Sequence, residues 1–267
     1  MEDFAHQLWL LTWDGELCNC PKKDGAKRVL DVGTGTGIWA MDYADAHPEA
    51  TVYGVDLSPI QPGFVPPNCH FEIDDVDKEW TFSQPFDFVF MRAMIGSFRD
   101  WPKVLAQAYE NLEPGGYFEI QDNHFPVVCD DDTLTEDSYM LKWTQYLIEA
   151  TDKIGQPINV ATSFQKLVED AGFVDVEVRH VVWPTSAWPK DPKLAEIGKW
   201  CRTSFMQGLD GICLAYFTRV LGWTKEEVIV FCSQVRNEVR KGKIHGYFPV
   251  YSVWGRKPEK EASEGPQ

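Results

Sequence analysis

An apolar run, Val29-Leu30-Asp31-Val32, ends in three glycines at alternate positions, Gly33, Gly35 and Gly37, and the next apolar run ends in Asp56. No other stretch of the chain restricts the fold as strongly. Glycines after a strand permit positive φ and let a ligand approach bare backbone. Asp56 lies 19 residues beyond Gly37, about the spacing at which a second-strand acid reaches ribose hydroxyls in nucleotide-binding βαβ units. A tight turn followed by an exposed acid accounts for the same residues without a ligand, so the surroundings have to decide.

Those surroundings alternate. RVLDVG, TVYGVDLS, CHFEIDD, FDFVFMRAM and GYFEIQD read as five strands within residues 28–122. Between them lie helical or short crossover segments, including IWAMDYADA, stopped at Pro48, and WPKVLAQAYENLEPGG, with Pro102 in its first turn and Gly115 past its end. That alternation predicts a mostly parallel α/β sheet. The second half is more helical. Residues 136–154 and 162–172 carry helical patterns, FVDVEVRHVVWP alternates like a strand, and residues 191–241 read as helical with an interruption around Gly208 and Gly211. Thr224-x-x-Glu227 is a capping box, GYFPVYSVWGRKP a closing strand and residues 259–267 a polar tail. The expected organisation is one domain over 1–258, with a cofactor half at 26–125 and a helical insertion at about 184–241.

Composition removes several classes. Apolar residues at 44% and aromatics at 13% suit a buried core and are too rich for disorder. No apolar run approaches the ~20 residues of a membrane span, and the acidic N-terminus lacks the basic start of a signal peptide. The seven cysteines show no paired metal-type spacing, which favours free thiols in a reducing compartment and no metal. A net charge of −16 repels phosphate backbones and argues against direct nucleic-acid binding.

The ligand can be narrowed further. The motif is Asp31-x-Gly33-x-Gly35-x-Gly37, and an acid inside the turn would repel a diphosphate. No P-loop is present either. An adenosine ligand with a cationic, phosphate-free tail fits, which is S-adenosyl-L-methionine.

At this point VLDVGTGTG, VDLS, EIDDVD and LEPGGYFEIQD, in that order, resemble the motifs of class I S-adenosylmethionine-dependent methyltransferases. More narrowly, GTGTGIWA, DLSPIQPGFVPPNCHFEIDD and FDFVFMRAMIGSFRDWPKV are similar to the fungal LaeA-like methyltransferases, regulators and tailoring enzymes of secondary metabolism. The resemblance implies a Rossmann-like, mostly parallel seven-stranded sheet with an antiparallel last strand and helices on both faces. It also implies that Asp31, Gly33, Thr34 and Gly35 line the methionine moiety, that Asp56 takes the ribose hydroxyls and that Leu57 lies against adenine. Asp74 or Asp75, with Val76, falls at the adenine edge, and Arg92 faces the transfer site. Family members usually carry a longer N-terminal segment over the cofactor; here either a short lid suffices or Trp9, Trp13 and their neighbours take that place.

Methyl transfer needs mainly alignment and desolvation, and a general base only for nucleophiles of high pKa. His124, directly after the fifth strand, is the candidate base or acceptor contact, with Arg92 beside it; a structural loop histidine is the plainer alternative. His180 reads as structural. The aromatics Trp183, Trp188, Trp200, Phe205, Tyr216 and Phe217 read first as core and second as an apolar substrate roof. The leading function is methylation, on oxygen, of a small hydrophobic metabolite. The alternatives are a catalyst that binds the cofactor without transferring methyl and a LaeA-like regulator. A small-molecule acceptor, no membrane, and a homodimer or protein partner complete the expectation, with a cytoplasmic location, or a nuclear one for a regulator.

Overall fold

The computed structural model describes residues 2–259; most of the polar tail, 260–267, lies outside them. Seven strands form one sheet: β1 (Arg28–Val32), β2 (Thr51–Asp56), β3 (Cys69–Ile73), β4 (Phe86–Arg92), β5 (Leu112–Asn123), β6 (Val174–Pro184) and β7 (Tyr247–Arg256). Their order is β3-β2-β1-β4-β5-β7-β6. β7 runs antiparallel to β5 and β6, and the other pairings are parallel. The expected mostly parallel sheet is thus present, with the reversed strand inserted next to the edge. Its central strands are apolar because helices cover both faces: Phe88, Val89, Phe90 and Met91 of β4 are all fully buried.

The helices are α1 (Glu2–Thr12), α2 (Ile38–Ala46), α3 (Trp101–Glu110), α4 (Tyr139–Lys153), α5 (Phe164–Asp170), α6 (Pro192–Cys213) and α7 (Lys225–Lys241). Their starts follow from local chemistry. Asp100, Ser138 and Asp191 accept amide hydrogen bonds at the heads of α3, α4 and α6, and Thr224 with Glu227 forms the expected capping box of α7. On one face of the sheet Trp39 of α2 packs on Phe88 and Phe90; on the other, Val104 of α3 and Phe164 of α5 share a core with Phe118.

A third core lies between α1, α4, α6 and α7. It contains Trp183 and Phe217, with Trp200, Phe205 and Tyr216 packed on it. Trp9 of α1 meets Trp183 edge-on at 4.5 Å. Trp13 donates to Gln121 Oε1 at 3.0 Å, which ties the segment after α1 to β5.

One local expectation is corrected. α6 runs through Gly208 and Gly211 without a break and continues as a π-helical turn, Leu214–Thr218, so the chain leaves the helix near Gly222. Tertiary packing outweighs the cost of about 1 kcal/mol that a mid-helix glycine carries. Gly115 lies past the end of α3, as expected; the helix ends at Glu110 with Asn111 as its cap. Gly115 sits at positive φ in the bulged start of β5, where its amide donates to Lys257 O.

Candidate functional site

The carboxyl ends of β1, β2 and β4 open into a cavity of about 350 Å³, where ligands of open α/β sheets bind. The glycine turn forms its floor. Gly33 has φ +73°, and a Cβ there would stand 2.2 Å from Met94 Sδ. Gly37 has φ +81°, and its Cβ would stand 2.2 Å from the Phe71 ring. Both positions favour glycine through their positive φ, and at Gly37 a Cβ would also meet the Phe71 ring. The Gly33 and Thr34 amides donate to Val55 O, which fastens the turn to β2.

Asp31, Gly33, Thr34, Gly35, Asp56, Leu57, Asp74, Asp75, Val76 and Arg92 all line this one cavity. Residues scattered over four strands in the sequence are brought together by the parallel register. Asp31 is 3% exposed, and its Oδ2 accepts from the Thr34 hydroxyl at 2.6 Å. Burial pushes its carboxyl up to about 6, against the Thr34 hydrogen bond and the positive charge of Arg92. Asp56 Oδ2 accepts the Gly35 amide at 2.8 Å and Oδ1 the Ser58 amide at 2.9 Å, which leaves further lone pairs for a ligand. Asp75 pairs with Lys78 at 3.4 Å. A buried acid in a glycine cradle suits a cation, and an acid at the next strand end suits a diol.

Arg92 also lines the cavity. Burial lowers its guanidinium to about 10, partly offset by Asp31 and Asp42. It donates from Nη2 to His6 Nδ1 at 2.8 Å and lies 5.9 Å from the Trp9 ring centroid. The loop after β4, with Met94, Ser97 and Phe98, completes the wall. Asp122, fully buried at the end of β5, accepts the Met94 amide at 2.6 Å and the Ile95 amide at 2.8 Å and so holds that loop. Burial raises its carboxyl to about 7, opposed by these backbone hydrogen bonds.

His124 is not among the residues lining the cavity. Its amide donates to Pro249 O, which prolongs the β5–β7 ladder, and its ring packs edge-on to Tyr251 at 6.5 Å. Its Nδ1 is buried without a partner, and burial lowers its pKa. The aromatics of the insertion also stand apart from the cavity wall. Trp188 stacks on His245 and donates to Gly246 O.

Sequence reasoning gives no role to His6, Met94, Ser97, Phe98 or Asp122. For His6 a signal existed: it precedes Trp9 by three residues, one helical turn, so the two share a face of α1. Cys18, Cys20 and Glu119 form a buried group with ligand-type atoms within 4.8 Å of one another. The Glu119 oxygens already accept from the amides of Asn19 and Cys20, from Gln121 and from the Ser252 hydroxyl. Donors aimed at the carboxylate balance its charge and tie the Cys18–Cys20 loop to β5, an arrangement unsuited to a cation. No helix among the described residues is long and apolar enough to cross a membrane.

A family profile described as a methyltransferase domain matches residues 12–178. The chain is 41% identical over 257 residues to the methyltransferase pytC of Aspergillus terreus, covering 96% of this chain and 79% of that protein. It is 34% identical over 264 residues to the secondary metabolism regulator LAE1 of Cochliobolus heterostrophus, covering 96% of this chain and 86% of that protein. The solved structure of Haemonchus contortus phosphoethanolamine N-methyltransferase 2 in complex with S-adenosyl-L-methionine superposes with a TM-score of 0.53 at 21% identity. That match covers 87% of this chain and 49% of that one and speaks for the fold. With the profile spanning more than half of the residues and the relatives nearly all of them, the chain belongs to the methyltransferase-domain family of S-adenosylmethionine-dependent enzymes.

Proposed function

We propose that the protein transfers the methyl group of S-adenosylmethionine to an oxygen of a small, largely hydrophobic metabolite. The observation that carries the reading is the single cavity joining Asp56, the Asp31 glycine turn and Arg92. In this reading Asp56 binds the ribose hydroxyls, and Asp74 or Asp75, with Val76 and Leu57, flanks the adenine. Asp31 faces the ammonium of the methionine moiety across Gly33, Thr34 and Gly35. The cofactor supplies an activated methyl on a sulfonium, and the protein supplies alignment and a dry site. Trp9, Met94 and Phe98 in the cavity lining give the acceptor an apolar wall. The insertion at about 184–241 supports this wall indirectly, by packing α6 against α1 through Phe4 and Trp200.

The similarity to a protein named a regulator favours a second reading, in which cofactor binding serves partner contacts. Calorimetric titration with S-adenosylmethionine and S-adenosylhomocysteine, repeated on Asp56→Ala, tests the shared premise. Micromolar binding lost in the variant supports the cavity assignment and is followed by screening hydroxylated metabolites for a methyl mass shift. No binding to the wild type overturns it.

A further inference from the structure

Among the described residues, the N-terminal helix places a charged or titratable side chain in the cavity wall at His6, which is 4% exposed. Its hydrogen bonds fix its tautomer. A guanidinium has donors only, so Nδ1, met by Arg92 Nη2 at 2.8 Å, carries a lone pair. The proton of the neutral ring is therefore on Nε2, which donates to Asp42 Oδ2 of α2 at 2.9 Å. A carboxylate behind one nitrogen and a lone pair on the other, engaged by Arg92 in the ligand-free protein, is the layout of a general base held by a displaceable donor.

Arg92 supplies the complementary half. Its hydrogen-bond partner is this neutral ring, while Asp31 and Asp42 act on it through charge. A cation whose hydrogen-bond partner is neutral, in the lining of a cavity, is suited to receive an anion.

We propose that the cavity accepts a phenolic or enolic hydroxyl, with Arg92 receiving the oxygen and His6 Nδ1 the proton. One hydroxyl takes the place of the Arg92–His6 hydrogen bond, accepting from the guanidinium and donating to Nδ1 of the imidazole. As the O–H bond breaks, the proton moves to His6 and Asp42 stabilises the imidazolium. The oxygen then forms its new bond to the methyl carbon, while the electron pair of the broken S–C bond stays on sulfur as a neutral thioether. The proton leaves His6 for water. A carboxylic acid, already ionised at neutral pH, would use Arg92 and leave His6 idle. This assignment moves the base from the β5 end, where His124 lies, to α1. It rests on the methyl-transfer reading above.

The test uses para-nitrophenol, whose neutral and ionised forms differ in colour, titrated into the protein saturated with S-adenosylhomocysteine. In the wild type the bound probe should ionise about tenfold more readily than the free probe, a shift of about one pH unit. Calorimetry in two buffers of different ionisation enthalpy should show no proton released, because His6 keeps it. In His6→Gln, whose amide can still accept from Arg92 and donate to Asp42, each phenolate formed should release about one proton. Asp42→Asn, at a half-exposed position on α2, should release protons in the same way, and Arg92→Met should lose the ionisation shift. The inference is overturned by a probe that fails to bind the S-adenosylhomocysteine complex or binds as the neutral phenol. It is overturned equally by wild-type proton release that matches His6→Gln. If S-adenosylhomocysteine itself does not bind, the methyl-transfer reading fails first.

Discussion

Asp56 at the end of β2 accepts the Gly35 amide at 2.8 Å, so the acid expected to hold a ribose also holds the glycine turn. The two roles use different lone pairs of one carboxylate. Asp56→Ala should therefore cost cofactor affinity at least tenfold, roughly 1.4 kcal/mol, and folding stability about 1 kcal/mol for the lost amide bonds. Asp56→Asn, which keeps an acceptor for Gly35, should recover the stability and only part of the affinity. Melting curves and calorimetry on both variants check this; equal affinity in all three proteins would remove Asp56 from the site.

Asp31 carries a pH dependence whose sign follows from its burial. Its carboxyl is held up at about 6 in the folded protein, against about 3.9 in an unfolded chain. Because the folded value is the higher one, its contribution to stability is complete below about 3.9 and lost as pH rises through about 6. Asp31→Asn should accordingly stabilise the ligand-free protein at neutral pH, by about 2–3 kcal/mol at most. It should also weaken S-adenosylmethionine binding, whose wild-type affinity climbs as pH rises through the same range. A variant that melts lower than wild type at neutral pH would show that the ionised carboxylate is already satisfied by Thr34 and Arg92.

Asp122 never touches the cavity but fixes the loop that does. Asp122→Ala leaves the Met94 and Ile95 amides without their acceptor, a loss of about 1–3 kcal/mol for each buried group. Hydrogen exchange at Met94 and Ile95 should rise more than exchange in the central strands, and cofactor affinity should fall with it. Uniform exchange across the sheet would make Asp122 a general stability residue.

The insertion aromatics give a contrasting outcome. Phe217 is fully buried and Phe205 packs on the same core. Phe217→Ala should cost about 3–5 kcal/mol and Phe205→Ala less. Neither should change affinity for S-adenosylhomocysteine at a temperature where both remain folded. A selective loss of acceptor turnover in Phe205→Ala, with melting unchanged, would restore a substrate-roof role.

What the sequence by itself determines is whatever local sterics and periodicity enforce. The glycine turn is legible because positive φ at Gly33 and Gly37, and the Phe71 ring beside Gly37, favour glycine over other residues. The strands are legible because burial on both faces demands continuous apolar runs, and Asp56 because a strand end has one place to go. The tertiary structure alone decides which side chains meet. His6 reaches Arg92 across 86 residues of chain, since α1 docks over the cavity through Trp9 and Trp183. His124, adjacent in sequence to the right strand end, is drawn into the β5–β7 ladder and away from the cavity. Gly208 and Gly211, which locally weaken a helix, stay helical because α6 is packed against the insertion core. Backbone requirements are written residue by residue, whereas the direction a side chain faces depends on pairing and docking between segments far apart in the chain.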